Sequence, residues 1–309
     1  MRVVFMGTPE FAVPSLEALA RRHEVAAVFS QPDKPRGRGQ RLSPTPVKRK
    51  ALELGIPVYQ PERIRDPAVL ETLQKLAPEA ILVVAYARLI PPAILALPPH
   101  GCINVHPSLL PRYRGATPIQ AALMNGDATT GVTTFFMDEG YDTGDIILQV
   151  ETPIGPEETG EELAARLAEM GAELLLATVD RLAEGTAPRI PQPPDGGPYT
   201  RVLKKEDLVV DWTRPAGRLR NFIRALAHQP GASTTFRGAP LKLGRSEVAE
   251  GEARAEPGTV VEIQRGRGPV VATGEGRLVL TEVKPAGKGW MSGWDWVQGS
   301  RPGPGERLG

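Results

Sequence analysis

Short apolar runs alternate with helix-spaced apolar positions through the first half of the chain. Arg2 to Met6 is an apolar run that stops at Gly7, and Ser15 to Arg22 places Leu16, Leu19 and Ala20 at helical spacing. Strand-like runs recur at Val25 to Ser30, Ile56 to Tyr59, Ala80 to Val84, Cys102 to Val105, Val132 to Met137 and Ile146 to Val150. Helix patterns lie between several of them. Pro46 to Leu54 has Thr45 as its cap, Pro46 at its first position and Gly55 after its end; Pro67 to Leu76 and Pro118 to Asn125 follow. Strands that are apolar throughout, alternating with helices, predict an α/β fold: a Rossmann-like, doubly wound, mostly parallel sheet covered on both faces.

Glu161 to Ala183 reads as one long helix closing this domain, because Leu163, Leu167, Met170, Leu174 and Leu175 fall on one stripe. Thr186 to Pro198 then carries five prolines and two glycines, a stiff linker composition. Beyond it come Leu208 to Trp212, a helix pattern over Ala216 to Ala227, and short β-like runs at Val260 to Ile263, Val270 to Thr273 and Leu278 to Val283. Short strands between glycine-rich turns predict a small barrel. The expected organisation is therefore a catalytic domain over 1–188, a linker over 189–206 and a barrel over 207–309.

A length of 309 residues agrees with two domains. Hydrophobic residues at 41% and charged residues at 24% exclude a disordered or coiled-coil chain. One cysteine, Cys102, can make neither an intramolecular disulfide nor a thiolate cage, so disulfide-scaffold and zinc-ribbon readings fall. No apolar run approaches the length of a membrane span, and Met1 to Met6 has no signal-peptide core, so the expectation is a cytoplasmic protein without membrane attachment. The net charge of +1 hides an asymmetry: −5 over residues 1–199 and +6 over 200–309. Opposed halves suit a basic module for an anionic polymer joined to a separate body, or simply a modest surface bias.

Open α/β sheets place their sites at the carboxyl ends of the strands. Gly7-Thr8-Pro9-Glu10 after the first strand lacks the glycines of a dinucleotide fingerprint, and no phosphate-binding loop signature occurs anywhere. Asn104 and His106 share one face of a strand while Ile103 and Val105 take the other. An amide and an imidazole at one strand end can donate to a developing oxyanion and move a proton, the needs of acyl transfer; the plain alternative is a capping Asn beside a hydrogen-bonded His. Asp138, Asp142 and Asp145 stand in a glycine-bounded loop between strands. This is either a polar loop brought to the other strand end or merely a turn. The ligand order of a calcium loop is absent, and no metal is expected.

Asn104-Val105-His106-Pro107-Ser108-Leu109-Leu110-Pro111-Arg112-Tyr113-Arg114-Gly115, followed about thirty residues later by Asp138-Glu139-Gly140-Tyr141-Asp142-Thr143-Gly144-Asp145, resembles the signature of the formyltransferases that use 10-formyltetrahydrofolate. Gly7 to Ala12, Gln31 to Gly39 and Pro285 to Lys288 extend the resemblance over nearly the whole chain to the methionyl-tRNA formyltransferases. The resemblance implies Asn104, His106 and Asp142 as the catalytic trio. It implies Ser108, Leu109, Leu110, Pro111, Tyr86, Leu89, Ile90, Asp138 and Tyr141 around the folate. The acceptor it implies is the α-amine of initiator methionyl-tRNA, acylated by a monomeric enzyme, with an OB-like second domain. Whether His106, Asp142 or a water accepts the amine proton stays open at this level.

Residues 31–50 carry a net +6, and Lys34, Arg36, Arg38 and Arg41 stand among glycines and prolines after the second strand. This segment is either a solvated basic loop or a phosphate contact, and in the family such a loop meets the tRNA acceptor arm. Arg214, Arg218, Arg220 and Arg224 either follow the tRNA body or form a solvated helix face. Trp290, Trp294 and Trp296 read as core or terminal packing. Two departures from the family pattern stand out, His228-Gln229 before Pro230 and Arg88 after Ala87, and neither is assigned a contact. An amino-sugar-nucleotide formyltransferase would keep the trio without needing the basic loop. A formylfolate hydrolase would use water in place of the amine. A glycinamide ribonucleotide formyltransferase would lack the barrel, and a tRNA-binding protein could carry the site without using it.

Overall fold

The computed structural model describes residues 1–36, 41–197, 199–252 and 254–309, with the side chains of Arg36 and Arg41 outside the description. The chain divides into two compact units. Met1–Pro118, Thr129–Thr152 and Ala164–Thr200 form the first, and Ile119–Ala128, Pro153–Leu163 and Arg201–Gly309 the second.

In the first unit the elements are β1 (Arg2–Gly7), α1 (Val13–Arg22), β2 (Glu24–Phe29), β3 (Lys34–Arg36), β4 (Arg41–Ser43), α2 (Pro46–Glu53), β5 (Val58–Tyr59), α3 (Pro67–Leu76), β6 (Ala80–Val84), α4 (Pro92–Leu95) and β7 (Cys102–His106). After α5 (Pro118–Asn125) come β8 (Thr129–Phe136), β9 (Ile146–Pro153) and α6 (Gly160–Ala183). Seven strands form one sheet in the order β5-β2-β1-β6-β7-β8-β9. The first five are parallel and β8 runs antiparallel to β7, so the sheet is doubly wound and mostly parallel, as the pattern predicts. Thr45 and Asp66 cap α2 and α3, each accepting a backbone N–H, and Pro opens both helices. The apolar strands are buried from both sides, and Val4, Met6, Phe29, Ile81 and Val83 pack in one core with Cys102. Burial pushes the Cys102 thiol up to about 12, consistent with a small packed residue.

The helix α6 starts at a reciprocal cap: Thr159 Oγ1 accepts from the Glu162 N–H at 3.3 Å, and the Glu162 carboxylate accepts from the Thr159 N–H at 2.8 Å. Its first residues cluster with the second unit and Ala164 onward with the first, so it does not belong to one domain as the sequence suggests. Residues 189–206, read as a linker, are likewise divided. Ile190 pairs with Ile146, and Thr200 donates its N–H to the Arg114 carbonyl at 2.7 Å, so this stretch is bonded to the first unit as far as the break at Thr200.

The second unit holds α7 (Ala216–Leu226) and the strands β10 (Ala232–Phe236), β11 (Ala239–Ala249), β12 (Val260–Gln264), β13 (Gly268–Ala272), β14 (Arg277–Pro285) and β15 (Met291–Ser292), then α8 (Gly293–Ser300). The sheet runs β10-β11-β14-β13-β12, with β15 beside β14. The last residues close it: Leu308 bridges Phe236 next to β10, and Arg307 bridges Thr259 next to β12. The result is a closed antiparallel barrel without free central edges. Leu219, Ile223 and Leu226 of α7 pack into its core with Leu243, Val260, Leu280 and Trp296. Trp296 confirms the packing role read from the sequence.

The arginines of α7 are partly spent inside this unit. Buried Arg224 donates to the carbonyls of Gly155, Pro156 and Glu158, and Arg220 reaches Pro156 and Glu157. Arg224 is therefore neither a solvated helix face nor an open phosphate contact. No helix among the described residues is long and apolar enough to cross a membrane.

His228, unassigned in the sequence, lies between two carboxylates: Nδ1 is 3.2 Å from Glu161 and Nε2 2.7 Å from Glu282. Burial pushes its imidazole down, but hydrogen bonds to Glu282 and Glu161 outweigh burial and hold it above the ordinary 6.5. A raised folded value gives stability that is fully present below the unfolded pKa and is lost as pH rises through the folded one. His228→Gln is therefore expected to lower Tm most near pH 6, with the gap from the native chain narrowing toward pH 9. Calorimetry across that range checks it, and a gap independent of pH would remove the charge from the contact.

Candidate active site

The sheet order reverses between β1 and β6, which puts the ligand crevice of an open α/β sheet at the carboxyl ends of these strands and of β7 beside them. Gly7 ends β1 in a tight place, where a Cβ would lie 3.0 Å from the Val84 carbonyl. The Gln31 side chain, after β2, donates to the Tyr86 carbonyl at 2.9 Å and so ties the loop after β2 to the loop after β6. That second loop is shaped by left-handed Ala85 and Ala87 on either side of Tyr86.

Strand β7 presents Asn104 and His106 on one side, as alternation requires. Among the described residues no side chain or backbone group pairs with the Asn104 carboxamide, which is half-buried. His106 is buried, and its Nε2 lies 2.9 Å from the Tyr113 carbonyl. A carbonyl only accepts, so Nε2 carries the proton in that contact and Nδ1 is the nitrogen left to exchange one. Nδ1 faces the Asp142 carboxylate at 3.7 Å, which is charge contact beyond hydrogen-bond reach. The trio named from the sequence is thus brought together as a His–Asp pair at the end of the strand that carries Asn104.

The loop after β7 is held by polar groups that sequence reasoning passed over. Buried Thr133 on β8 donates to the Ser108 carbonyl at 2.7 Å and accepts from the Leu110 N–H at 3.1 Å. Gln149 on β9 donates to the Leu110 carbonyl at 2.8 Å. Ser108 donates its hydroxyl to the Arg112 carbonyl at 2.6 Å, closing the turn that aims Tyr113 at His106. Thr133 carried no distinct signal, because β8 holds four threonines and Thr130 and Thr134 are buried as well.

The acidic loop is built by its own aspartates. Asp138 accepts from the Gly140 N–H at 2.9 Å and from the Thr143 hydroxyl at 2.8 Å. Asp142 takes a left-handed backbone, φ 56°, and its Oδ2 accepts the Gly115 N–H at 2.8 Å. Gly144 admits no side chain, since a Cβ would sit 1.7 Å from the Phe136 carbonyl. The Asp138 carboxylate is therefore occupied in holding the loop.

Of the remaining residues named for folate, Tyr86 and Ile90 are packed in the core, Leu110 is buried against Phe135 and Ile146, and Ser108 is fully buried. Leu109 and Pro111 are half-buried, whereas Leu89 and Tyr141 are exposed, at 43% and 66%. In the basic segment Lys34 is exposed on β3. Arg38 and the side chains of Arg36 and Arg41 lie outside the described residues. The base of this segment is fixed: Lys48 pairs with Asp33 at 2.6 Å and Gln60 donates to Asp33 at 2.7 Å. Among the described residues no group of three His, Cys, Asp or Glu side chains is placed to hold a metal ion.

Residues 1–179 match the family described as formyl transferase, and residues 202–301 match its C-terminal domain. The methionyl-tRNA formyltransferase of Symbiobacterium thermophilum is 50% identical over 310 residues, covering 100% of this chain and 95% of that protein. This chain belongs to the methionyl-tRNA formyltransferase family. The methionyl-tRNA formyltransferase of Moorella thermoacetica is also 50% identical, with 100% of this chain and 99% of that protein covered. Among solved structures, HypX from Aquifex aeolicus in complex with tetrahydrofolic acid superposes with a TM-score of 0.66 at 20% identity, over 99% of this chain and 48% of that one. An N-formyltransferase from Helicobacter canadensis, in complex with folinic acid and dTDP-3-aminofucose, gives 0.67 at 19% identity, over 90% of this chain and 98% of that one. These two likenesses carry the fold. The two matched family segments span the sheet and the following β domain, as the sequence motifs imply.

Proposed function

We propose that this formyltransferase moves the formyl group of 10-formyltetrahydrofolate to the α-amine of methionyl-initiator tRNA, with Asn104, His106 and Asp142 as its catalytic residues. The observation that carries the site assignment is the pairing of His106 Nδ1 with Asp142 at 3.7 Å on the strand that offers Asn104. The full-length 50% identity to enzymes of that name supports the acceptor.

The chemistry follows from the groups. The neutral amine attacks the formyl carbon, and negative charge gathers on the formyl oxygen. Asn104 donates its carboxamide N–H to that oxygen; a preformed donor is worth more to the developing charge than to the starting carbonyl. His106 takes up the proton released by the amine at Nδ1, because Nε2 is held on the Tyr113 carbonyl. Asp142 then faces the imidazolium and stabilises it. The proton passes on to the leaving nitrogen of the folate, which restores His106.

The folate lies against the loops after β6 and β7. Tyr86, Ile90, Ser108 and Leu110 form its packed base, and Leu89, Leu109, Pro111, Asp138 and Tyr141 line the approach. Lys34, Arg36, Arg38 and Arg41 contact tRNA phosphates, and the barrel over 207–309 binds the body of the tRNA. The enzyme works as a cytoplasmic monomer and needs no metal.

Three measurements test this reading. Incubated with 10-formyltetrahydrofolate and either charged initiator tRNA, an amino-sugar nucleotide or no acceptor, the protein is expected to deformylate folate rapidly only with the charged tRNA. Turnover without acceptor would make it a hydrolase, and turnover with the sugar would move it to the other branch. Asn104→Ala should lower kcat by roughly 10²-fold or more, the loss on removing one oxyanion donor, and near-normal turnover would end that role. Reversing Arg36, Arg38 and Arg41 to Glu should raise KM for the tRNA and flatten its dependence on salt. An unchanged salt slope would count against phosphate contact.

A further inference from the structure

Residues 180–201 lie between the two matched family segments, and within them 186–198 read from the sequence as a stiff linker. In the structure part of this stretch straps the acidic loop. Ile190 exchanges backbone hydrogen bonds with Ile146, at 2.8 and 3.0 Å, and Arg189 lies over the Phe136 ring and 3.6 Å from Asp145. Gln192 is the residue that reaches the site. Its Nε2 donates to the Asp142 carbonyl at 3.0 Å and to the Gly144 carbonyl at 2.7 Å. Its Oε1 accepts from Arg114 Nε at 3.0 Å and Nη2 at 2.9 Å. Both N–H groups and both acceptor positions of the carboxamide are thereby used.

Arg114 is buried, with 3% of its surface exposed, and its Nη2 also donates to the Pro193 carbonyl at 3.1 Å. A buried guanidinium aimed at a neutral amide rather than a carboxylate is unusual; the amide is needed here because the far side of the contact consists of carbonyls, which only N–H groups can meet. Arg114 and Gly115 hold Asp142 from two directions. The Gly115 N–H takes the carboxylate, and the Arg114 side chain fixes the amide that takes the backbone carbonyl. A residue in the left-handed region gains from such bracketing, because its conformation has no help from regular secondary structure.

We infer that Gln192, locked by Arg114, is a positioning residue for Asp142, so that the strap over 189–193 is a working part of the active site. This rests on the reading of Asp142 as a catalytic residue. A small displacement of Asp142 changes its separation from His106 Nδ1, already at the edge of direct contact.

A double-mutant cycle on the full-length enzyme separates the possibilities, with kcat and KM measured for charged initiator tRNA and Tm measured alongside. Gln192→Ala is expected to lower kcat by roughly tenfold to a hundredfold, the scale of misplacing a reacting group by an ångström, while KM for the tRNA holds. In an Asp142→Asn background the same substitution should cost nothing further. Gln192→Glu keeps the acceptor for Arg114 and adds an ion pair but has no N–H for the two carbonyls. It should fold, with Tm lowered by the carboxylate oxygen set against those carbonyls, and still lose kcat as Gln192→Ala does. Equal losses from Gln192→Ala in both backgrounds would overturn the proposal, as would a Gln192→Glu enzyme with native kcat. Native turnover by Asp142→Asn alone would instead bring down the reading of Asp142, and the positioning role with it.

Discussion

A carboxylate and an imidazole set together in a mostly buried place are costly unless each is satisfied by fixed partners, and the site is organised around meeting that cost. Asp142 and His106 stand 3.7 Å apart with each held by a fixed backbone partner. Tyr113 takes the far nitrogen of His106, and Gly115 takes the Asp142 carboxylate. Both restraints come from one turn, residues 113–115, so a single piece of backbone sets the pair. That turn depends in its own right on Ser108, Thr133 and Gln149, which stitch the loop after β7 to the neighbouring strands.

The consequence for chemistry is preorganisation. With Nε2 engaged on a carbonyl, Nδ1, on the side of Asp142, is the nitrogen available for the proposed proton transfer. The Asn104 carboxamide, two residues earlier on the same strand, has no partner among the described residues, which is what the proposed oxyanion contact requires. The strand delivers both groups on one face by its period of two, and its burial in the sheet keeps them in place. The barrel solves a different problem. Its final residues bridge the two outer strands, and Arg224, which charge counting would assign to a ligand, is used on three carbonyls of the 155–158 turn.

Most of the sheet was legible because each of its strands is a short apolar run between recognisable helix caps and breakers. In the barrel β10 and β11 were missed, and for β11 the cause is visible in its pairing with β14. Strand β11 shifts register between Leu243 and Arg245 and again between Arg245 and Ser246, so its inward positions pass from Leu241 and Leu243 to Ser246. Two bulges break the alternation by which a strand is recognised. The helix α8 was hidden in the same way: it is short, opens on a glycine and is declared mainly by Ser292, whose hydroxyl accepts the Asp295 N–H at 3.0 Å.

By itself the sequence determined the strand–helix order, the sharing of one strand face by Asn104 and His106, and the glycines without which the acidic loop has no allowed path. These are local properties, set by periodicity, caps and backbone sterics, and a motif records them directly. Only the tertiary structure decided which imidazole nitrogen is free, which aspartate of three meets it, and that a glutamine in a proline-rich stretch bonds the Asp142 backbone. Those outcomes depend on contacts between segments that only folding brings together, such as His106 with Asp142 and, 50 positions apart, Gln192 with Asp142. A lone polar residue in a linker carries no periodic signal for its partner, because the partner is chosen by where the folded sheet brings the backbone carbonyls.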